Sequence, residues 1–485
     1  MKTFFVFFVL LFVSSITIAD NERSHLTLTL DSVLTSSAKH FPAIIKSLEN
    51  REQALGKVTE SQGAFDIVFS SNGFDRTTGF WDGRYVNTDV RRNLKAYGAT
   101  VYGGYRISDG TFPIYEDINF TNTGGEAKIG ALFSLLRNKS IDQRRFNLRD
   151  AEYALAQSEL EILLTQIGIQ AQASTAFWRW VASGHQLNVY ENLLRIAQER
   201  VSGLEEQVRS GARAPIFIVE NQQNITRRQR LVIEAKRDFE SASNHLAFYY
   251  RDANGEMTRP NIAQLPREDA LFDFPNAHPG TSPVTADISS ILVRRPELNL
   301  LRTALDRTEQ EITLRQNDLK PQLDLSAELS HDFGAIAEGG ASRDSTDTIL
   351  GFQFSVPLEQ REARGRLSSA RAKYRALELD QIQTQQQIEL ELKNILIERD
   401  AAKELAEIAQ IELEQSRTME QAERVRFENG ASDFFVVNVR EETTADAQVR
   451  GIIAQFNHQV ATINYNAATV NLPLLGLSES CCDKP

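Results

Sequence analysis

The chain has 485 residues, enough for two or three ordinary domains and a sizeable core. Lys and Arg number 53 against 65 Asp and Glu, a formal net charge of −12. Without a basic block, that balance excludes a nucleic-acid binder, which needs a concentrated cationic face for the phosphates. Apolar residues make up 41 % of the chain and the mean hydropathy is −0.33, so only the N-terminus is apolar enough to interest a membrane.

Lys2, an apolar run from Phe4 to Val13, and the small residue Ala19 read as the three parts of a secretory signal spanning residues 1–19. A spanning helix needs about 20 apolar residues, so an anchor is the weaker reading. Removing Lys2 with the leader makes the mature chain one charge more negative.

Residues 20–250 open with Leu28-Thr-Leu-Asp31 and Pro42 and then turn strand-like. Phe65, Ile67 and Phe69 begin an alternation, Val101, Gly103, Tyr105 and Ile107 continue one, and Ile129, Ala131, Phe133 and Leu135 repeat it. The aromatic, Gly-rich stretch 71–125, with Phe80, Trp81, Tyr97, Tyr102, Tyr105 and Tyr115, reads as a long extracellular loop or an extra hairpin. Helix follows. Leu187, Tyr190, Leu194, Ala197, Val201, Leu204 and Val208 are spaced 3-4-3-4-3-4, a coiled-coil seam, and no proline interrupts from about Asp142 to Val208. Such a run, about 65 residues at ~1.5 Å each, makes a rod of ~100 Å. It ends at Gly211, where a left-handed turn is cheap, and a second helix returns from about Pro215 to Tyr250.

Residues 251–290 hold five of the 13 prolines and predict an extended connector. The pattern then starts again. Residues 350–358 lie over 129–137, Arg366 over Arg145, Tyr374 over Tyr153, and the tip Asn429-Gly-Ala431 over Ser210-Gly-Ala212. Residues 291–473 are therefore a second copy of one strand-and-hairpin unit, with strands around Leu323–Leu329 and Leu350–Val356 and a second tip at Gly430. A polar tail, 474–485, closes the chain with Cys481 and Cys482, which are adjacent and cannot staple a core.

No enzyme is expected. The 7 His are scattered without a His-Glu-x-x-His or metal-ligand spacing, and there is no P-loop, Gly-x-Ser-x-Gly or dinucleotide fingerprint. No cofactor or metal is implied.

The duplicated order of these features, from Leu28-Thr-Leu-Asp31 through the Leu319-Lys-Pro-Gln-Leu323 opening of a strand and the Phe354-Ser-Val-Pro357 exit into a helix, resembles the TolC-like outer-membrane channel proteins, the outer membrane factors. The resemblance implies an α+β membrane protein of tandem repeats. It would be a homotrimeric β-barrel in outer-membrane lipid, about four strands per chain and twelve in all, continued by a long α-helical coiled-coil barrel in the periplasm of a Gram-negative bacterium. It further implies a passive exit duct of an efflux pump or type I secretion system, fed by a periplasmic adaptor protein and an inner-membrane pump of the RND or ABC type. A periplasmic adaptor is the rival reading, because adaptors also carry a helical hairpin, though one rather than two in tandem.

The resemblance places adaptor docking at the tips, Gly211, Ala212 and Arg213 with Gly430, Ala431 and Ser432. TolC narrows its periplasmic mouth with aspartates six and nine residues after its second tip glycine; here those positions are Val436 and Val439. Glu220 and Asp433 are the acidic alternatives for a gate. The acidic balance predicts a cation-preferring pore.

Overall fold

The structure, a computed structural model, describes residues 27–268, 288–338 and 343–478. The expected leader, part of the connector and the Cys481–Cys482 pair lie outside the described residues. In chain order the elements are α1 (Leu30–His40), α2 (Pro42–Gln62), β1 (Ile67–Asp75), β2 (Arg84–Asn93), β3 (Thr100–Asp109), β4 (Glu126–Ser134), α3 (Gln143–Glu199), α4 (Val201–Arg209) and α5 (Ile216–Tyr249). After the connector come α6 (Ile288–Arg294), α7 (Pro296–Asp318), β5 (Gln322–Asp332), β6 (Thr346–Ser355), α8 (Arg361–Glu428) and α9 (Phe434–Ala468).

Pro42 and Pro296 each occupy the first turn of a helix, where a missing N–H costs nothing. The 68-residue α8 is ~100 Å long at 1.5 Å per residue. The first rod is not continuous: helical bonding lapses at Arg200 (φ −76°, ψ −18°), which divides it into α3 and α4. This is a tight turn of the 3₁₀ kind rather than a bend by proline. Gly211 (φ 75°) and Gly430 (φ 72°) are both left-handed, and a Cβ on either would meet nothing within 4 Å, so the tips are open turns.

The helices bury their apolar faces on one another. Trp180, Phe177 and Leu187 of α3, Leu246 and Phe239 of α5, Val33 of α1 and Ile452 of α9 form the main core. A smaller cluster around Val58, Phe65, Leu148 and Ala151 sits where α2 and α3 meet the base of the sheet. The seam expected at Leu187, Ala197 and Leu204 is buried, as are Ala406, Ala409 and Leu413 of α8. Among the described residues no helix is long and apolar enough to cross a membrane.

The strands of the described residues join one antiparallel meander in the order β1-β2-β3-β4-β5-β6. About four strands per chain was the expectation, and six are present among the described residues. The two additional strands, β2 and β3, come from the stretch 71–125, where Val86 and Val90 alternate with polar neighbours and Val101, Tyr105 and Ile107 do the same. The first repeat therefore holds an inserted hairpin between the counterparts of β5 and β6.

Candidate functional site

The register of the meander sorts its side chains into two faces. One row runs Phe69, Val90, Gly103, Ile129, Leu329, Thr348, and the next runs Ile67, Arg92, Val101, Ala131, Ala327, Leu350. Phe133, Leu325 and Phe352 form a third row toward the helices. This apolar face is the exposed one: Phe69 is 68 % and Phe352 79 % accessible. The opposite face is mostly polar and is enclosed along the central strands, while on the edge strands β1 and β6 it is open. Its rows run Asn72, Asn87, Arg106, Glu126, Asp332 and then Ser70, Asp89, Gly104, Lys128, Ser330, Asp347. Glu126, Ser134, Asp324 and Ser330 on it are buried.

A water-soluble sheet has the reverse arrangement. Apolar outside and polar inside, at period two, is the pattern of a strand between lipid and an aqueous lumen. On the strands this inner face carries the acids Asp89, Glu126, Asp324, Glu328, Asp332 and Asp347 against the bases Arg91, Arg106 and Lys128, so carboxylates predominate there.

Two glycines let the inner face cross-link itself. Tyr102 of β3 lies over Gly130 of β4 and donates its hydroxyl to Glu328 of β5 at 2.7 Å; a Cβ on Gly130 would stand 2.4 Å from the Tyr102 ring. Asp89 of β2 reaches across Gly104 of β3 to Lys128 of β4, with N and O 3.5 Å apart. Arg106 pairs directly with Glu126. Each contact spans or ties neighbouring strands, so the inserted hairpin is bonded into the same polar wall.

At the other end of the rods the two hairpin tips pack together. The Arg213 guanidinium stands 5.2 Å from the Phe217 ring and 5.0 Å from the Phe427 ring, and Phe434 contacts both aromatics. Arg213, an expected docking residue, is thus half-buried as a clamp between tips, while Gly211, Ala212, Gly430 and Ala431 are exposed. Ser432 donates its hydroxyl to the buried Glu423.

Of the gate candidates, Asp433 and Val439 are exposed, Val436 and Glu220 are half-buried, and the Glu220 Oε1 atom is enclosed. The most buried acid among the described residues is not one of these candidates. Glu441 of α9 is 2 % exposed. It accepts from Arg200 at the α3–α4 junction, from Arg228 of α5 at 3.3 Å and from Arg424 of α8 at 3.2 Å. Burial holds the Arg228 guanidinium below its ordinary value, and the Glu441 charge opposes that shift. One carboxylate thereby joins both hairpins. Locally Glu441 stands only as one of two adjacent acids beside Arg440, and the tertiary contacts alone distinguish the buried one.

α8 also carries a second apolar stripe. Leu390, Ile397, Leu405, Ile408 and Ile411 are all more than half exposed, on a helix whose Ile388, Leu392, Ala406 and Leu413 are buried. A helix with apolar faces on two sides has two sets of neighbours.

Residues 288–469 match the family described as OEP, outer membrane efflux protein. No curated protein matches the chain. Among solved structures, the Campylobacter jejuni CmeC outer membrane channel is 14 % identical with a TM-score of 0.61, covering 93 % of this chain and 90 % of that one. The open state of the Neisseria gonorrhoeae MtrE outer membrane channel is 14 % identical with a TM-score of 0.63, covering 92 % and 89 %. A membrane protein from Pseudomonas aeruginosa is 13 % identical with a TM-score of 0.62, covering 92 % and 93 %.

Proposed function

From the match of residues 288–469 to the outer membrane efflux protein family and from the inside-out sheet, we propose that the chain is a member of that family and the outer-membrane exit duct of a tripartite efflux pump or type I secretion system. It is a passive channel and not an enzyme. The observation that carries the reading is the sheet itself: an exposed apolar face backed by a carboxylate-rich one enclosed along the central strands, mounted on rods of ~100 Å. Three copies would complete the barrel and cover the second apolar stripe of α8, which nothing among the described residues covers.

In this reading the open turns Gly211, Ala212, Gly430 and Ala431, stiffened by Arg213 and Ser432, form the rim on which a periplasmic adaptor docks. Glu220, Asp433, Val436 and Val439 lie just beyond that rim and narrow the mouth. Energy comes from the inner-membrane pump. Substrates cross the outer membrane along the polar wall, whose excess of carboxylates attracts cations and repels anions.

Purified protein in planar bilayers tests this. Single-channel steps are expected, with a reversal potential in a salt gradient on the cation-selective side. Absence of any conductance overturns the duct, and anion selectivity overturns the role given to the wall.

A further inference from the structure

The strands leave two edges. Among the described residues β1 and β6 each have a single neighbour in the sheet, so one row of backbone N–H and C=O groups on each is unbonded. Hydrocarbon does not tolerate such a row, and a membrane sheet must therefore close. A meander of six strands ends running opposite to the way it began. Copies arranged around an axis bring β6 of one against β1 of the next as an antiparallel pair, the same pairing used everywhere else in the sheet.

The inserted hairpin is a full member of this wall. Its Val86, Val90, Val101 and Ile107 share the exposed apolar face, and its Asn87 and Arg106 share a polar row with β1, β4 and β5. The Asp89–Lys128 and Tyr102–Glu328 contacts bridge it across Gly104 and Gly130 to strands outside the hairpin. A hairpin folded over the barrel as a cap would share neither the rows nor the bridges.

We infer that three copies of this chain close a single barrel of eighteen strands, with β6 of each copy hydrogen-bonded to β1 of the next and the β2–β3 hairpin lining the lumen. The inference rests on the trimeric duct proposed above and replaces the twelve strands that the family resemblance implied. Because barrel diameter grows roughly linearly with strand number, the outer-membrane section is about 1.5 times as wide as a twelve-stranded one, in the range where an aqueous channel remains open. The helical section then sets the size limit for cargo, not the barrel.

Both edge strands meet the helical section, β1 through Ile67 and β6 through Ser355. Bringing those two ends level while keeping the apolar faces on one side sets Ser71 of one copy opposite Leu350 or Phe352 of the next. In a background with Cys481 and Cys482 replaced by Ser, Ser71→Cys is paired in turn with Phe352→Cys, Leu350→Cys and Thr348→Cys, and outer-membrane extracts are oxidised. At least one pair is expected to give covalent trimers on denaturing gels, and no single variant should. A membrane-impermeant maleimide should label Asn87→Cys and Arg91→Cys, which face the lumen, and spare Val86→Cys and Val90→Cys, which face lipid.

If the preparation is trimeric on native gels yet no edge pair cross-links, or if all four hairpin positions label alike, the eighteen-stranded barrel is overturned while the duct stands. A preparation that is monomeric overturns the trimeric duct and this inference with it.

Discussion

In the sheet, Phe69, Ile129 and Phe352 point outward and Glu126 and Asp324 are enclosed. In the helical section Trp180, Leu246 and Ile452 are enclosed and most charges face outward, with Glu441, Arg228, Glu423 and Arg295 among the exceptions. The same residue types take opposite places because the sheet is built to contact lipid on one side and water on the other, while the rods stand in water. Burial alone does not identify a core: in the sheet the enclosed residues line the proposed channel, and the exposed ones do the work that a core does elsewhere, once lipid is supplied.

The largest effect is expected in the rods. Glu441→Gln leaves Arg200, Arg228 and Arg424 around a neutral group, and removing one partner of a buried ion cluster costs about 3–5 kcal/mol. Denaturant unfolding followed by helical circular dichroism should show that loss. A loss below about 1 kcal/mol would mean that the cluster is solvated like an ordinary surface pair.

Ile129→Arg tests the sheet in the same way, placing a charge on the lipid face for about 2–4 kcal/mol near the midplane. Ser70→Arg, on the polar face of β1, should leave stability unchanged and shift ion selectivity toward anions. Equal destabilisation by both, measured as heat-induced collapse of the barrel on gels, would mean that the two faces do not differ in solvent.

The smallest effect concerns His458 of α9. Burial, reinforced by the Lys403 and Arg399 charges, holds its imidazole below the ordinary 6.5. Above pH 6.5 it is neutral in both folded and unfolded chains and contributes no pH dependence. As pH falls below 6.5 the unfolded chain takes up the proton first, so stability is lost until the depressed folded value is passed. Tm measured from pH 7.5 downward should fall more steeply for the wild type than for His458→Gln, and parallel curves would count against the assignment.

Much of the architecture is legible in the residues. Period-two alternation around Ile129 and Leu350, the 3-4 seam from Leu187 to Val208, and the glycines at 211 and 430 mark strands, rods and tips, since each reflects a local geometric demand. Duplication then ties the halves together. The hairpin β2–β3 was less visible because Arg92, Gly103 and Gly104 interrupt its alternation, and a loop reading of 71–125 competed with it. Glu441 was not visible at all: three of its partners lie 17, 213 and 241 residues away, and nothing local distinguishes it from Glu442. Arg213 was legible as a tip residue but not as a clamp, for its aromatic neighbours come from both hairpins.

By itself the sequence determined the repeated unit, the lengths of its rods, the turns at their ends and the acidic balance, all of which follow from periodicities and backbone preferences within short windows. Only the tertiary structure decided the number of strands, which face of them is enclosed, and which carboxylate is buried between the hairpins. Those depend on register, where a slip of one residue exchanges lipid side for lumen side, and on contacts between segments hundreds of residues apart.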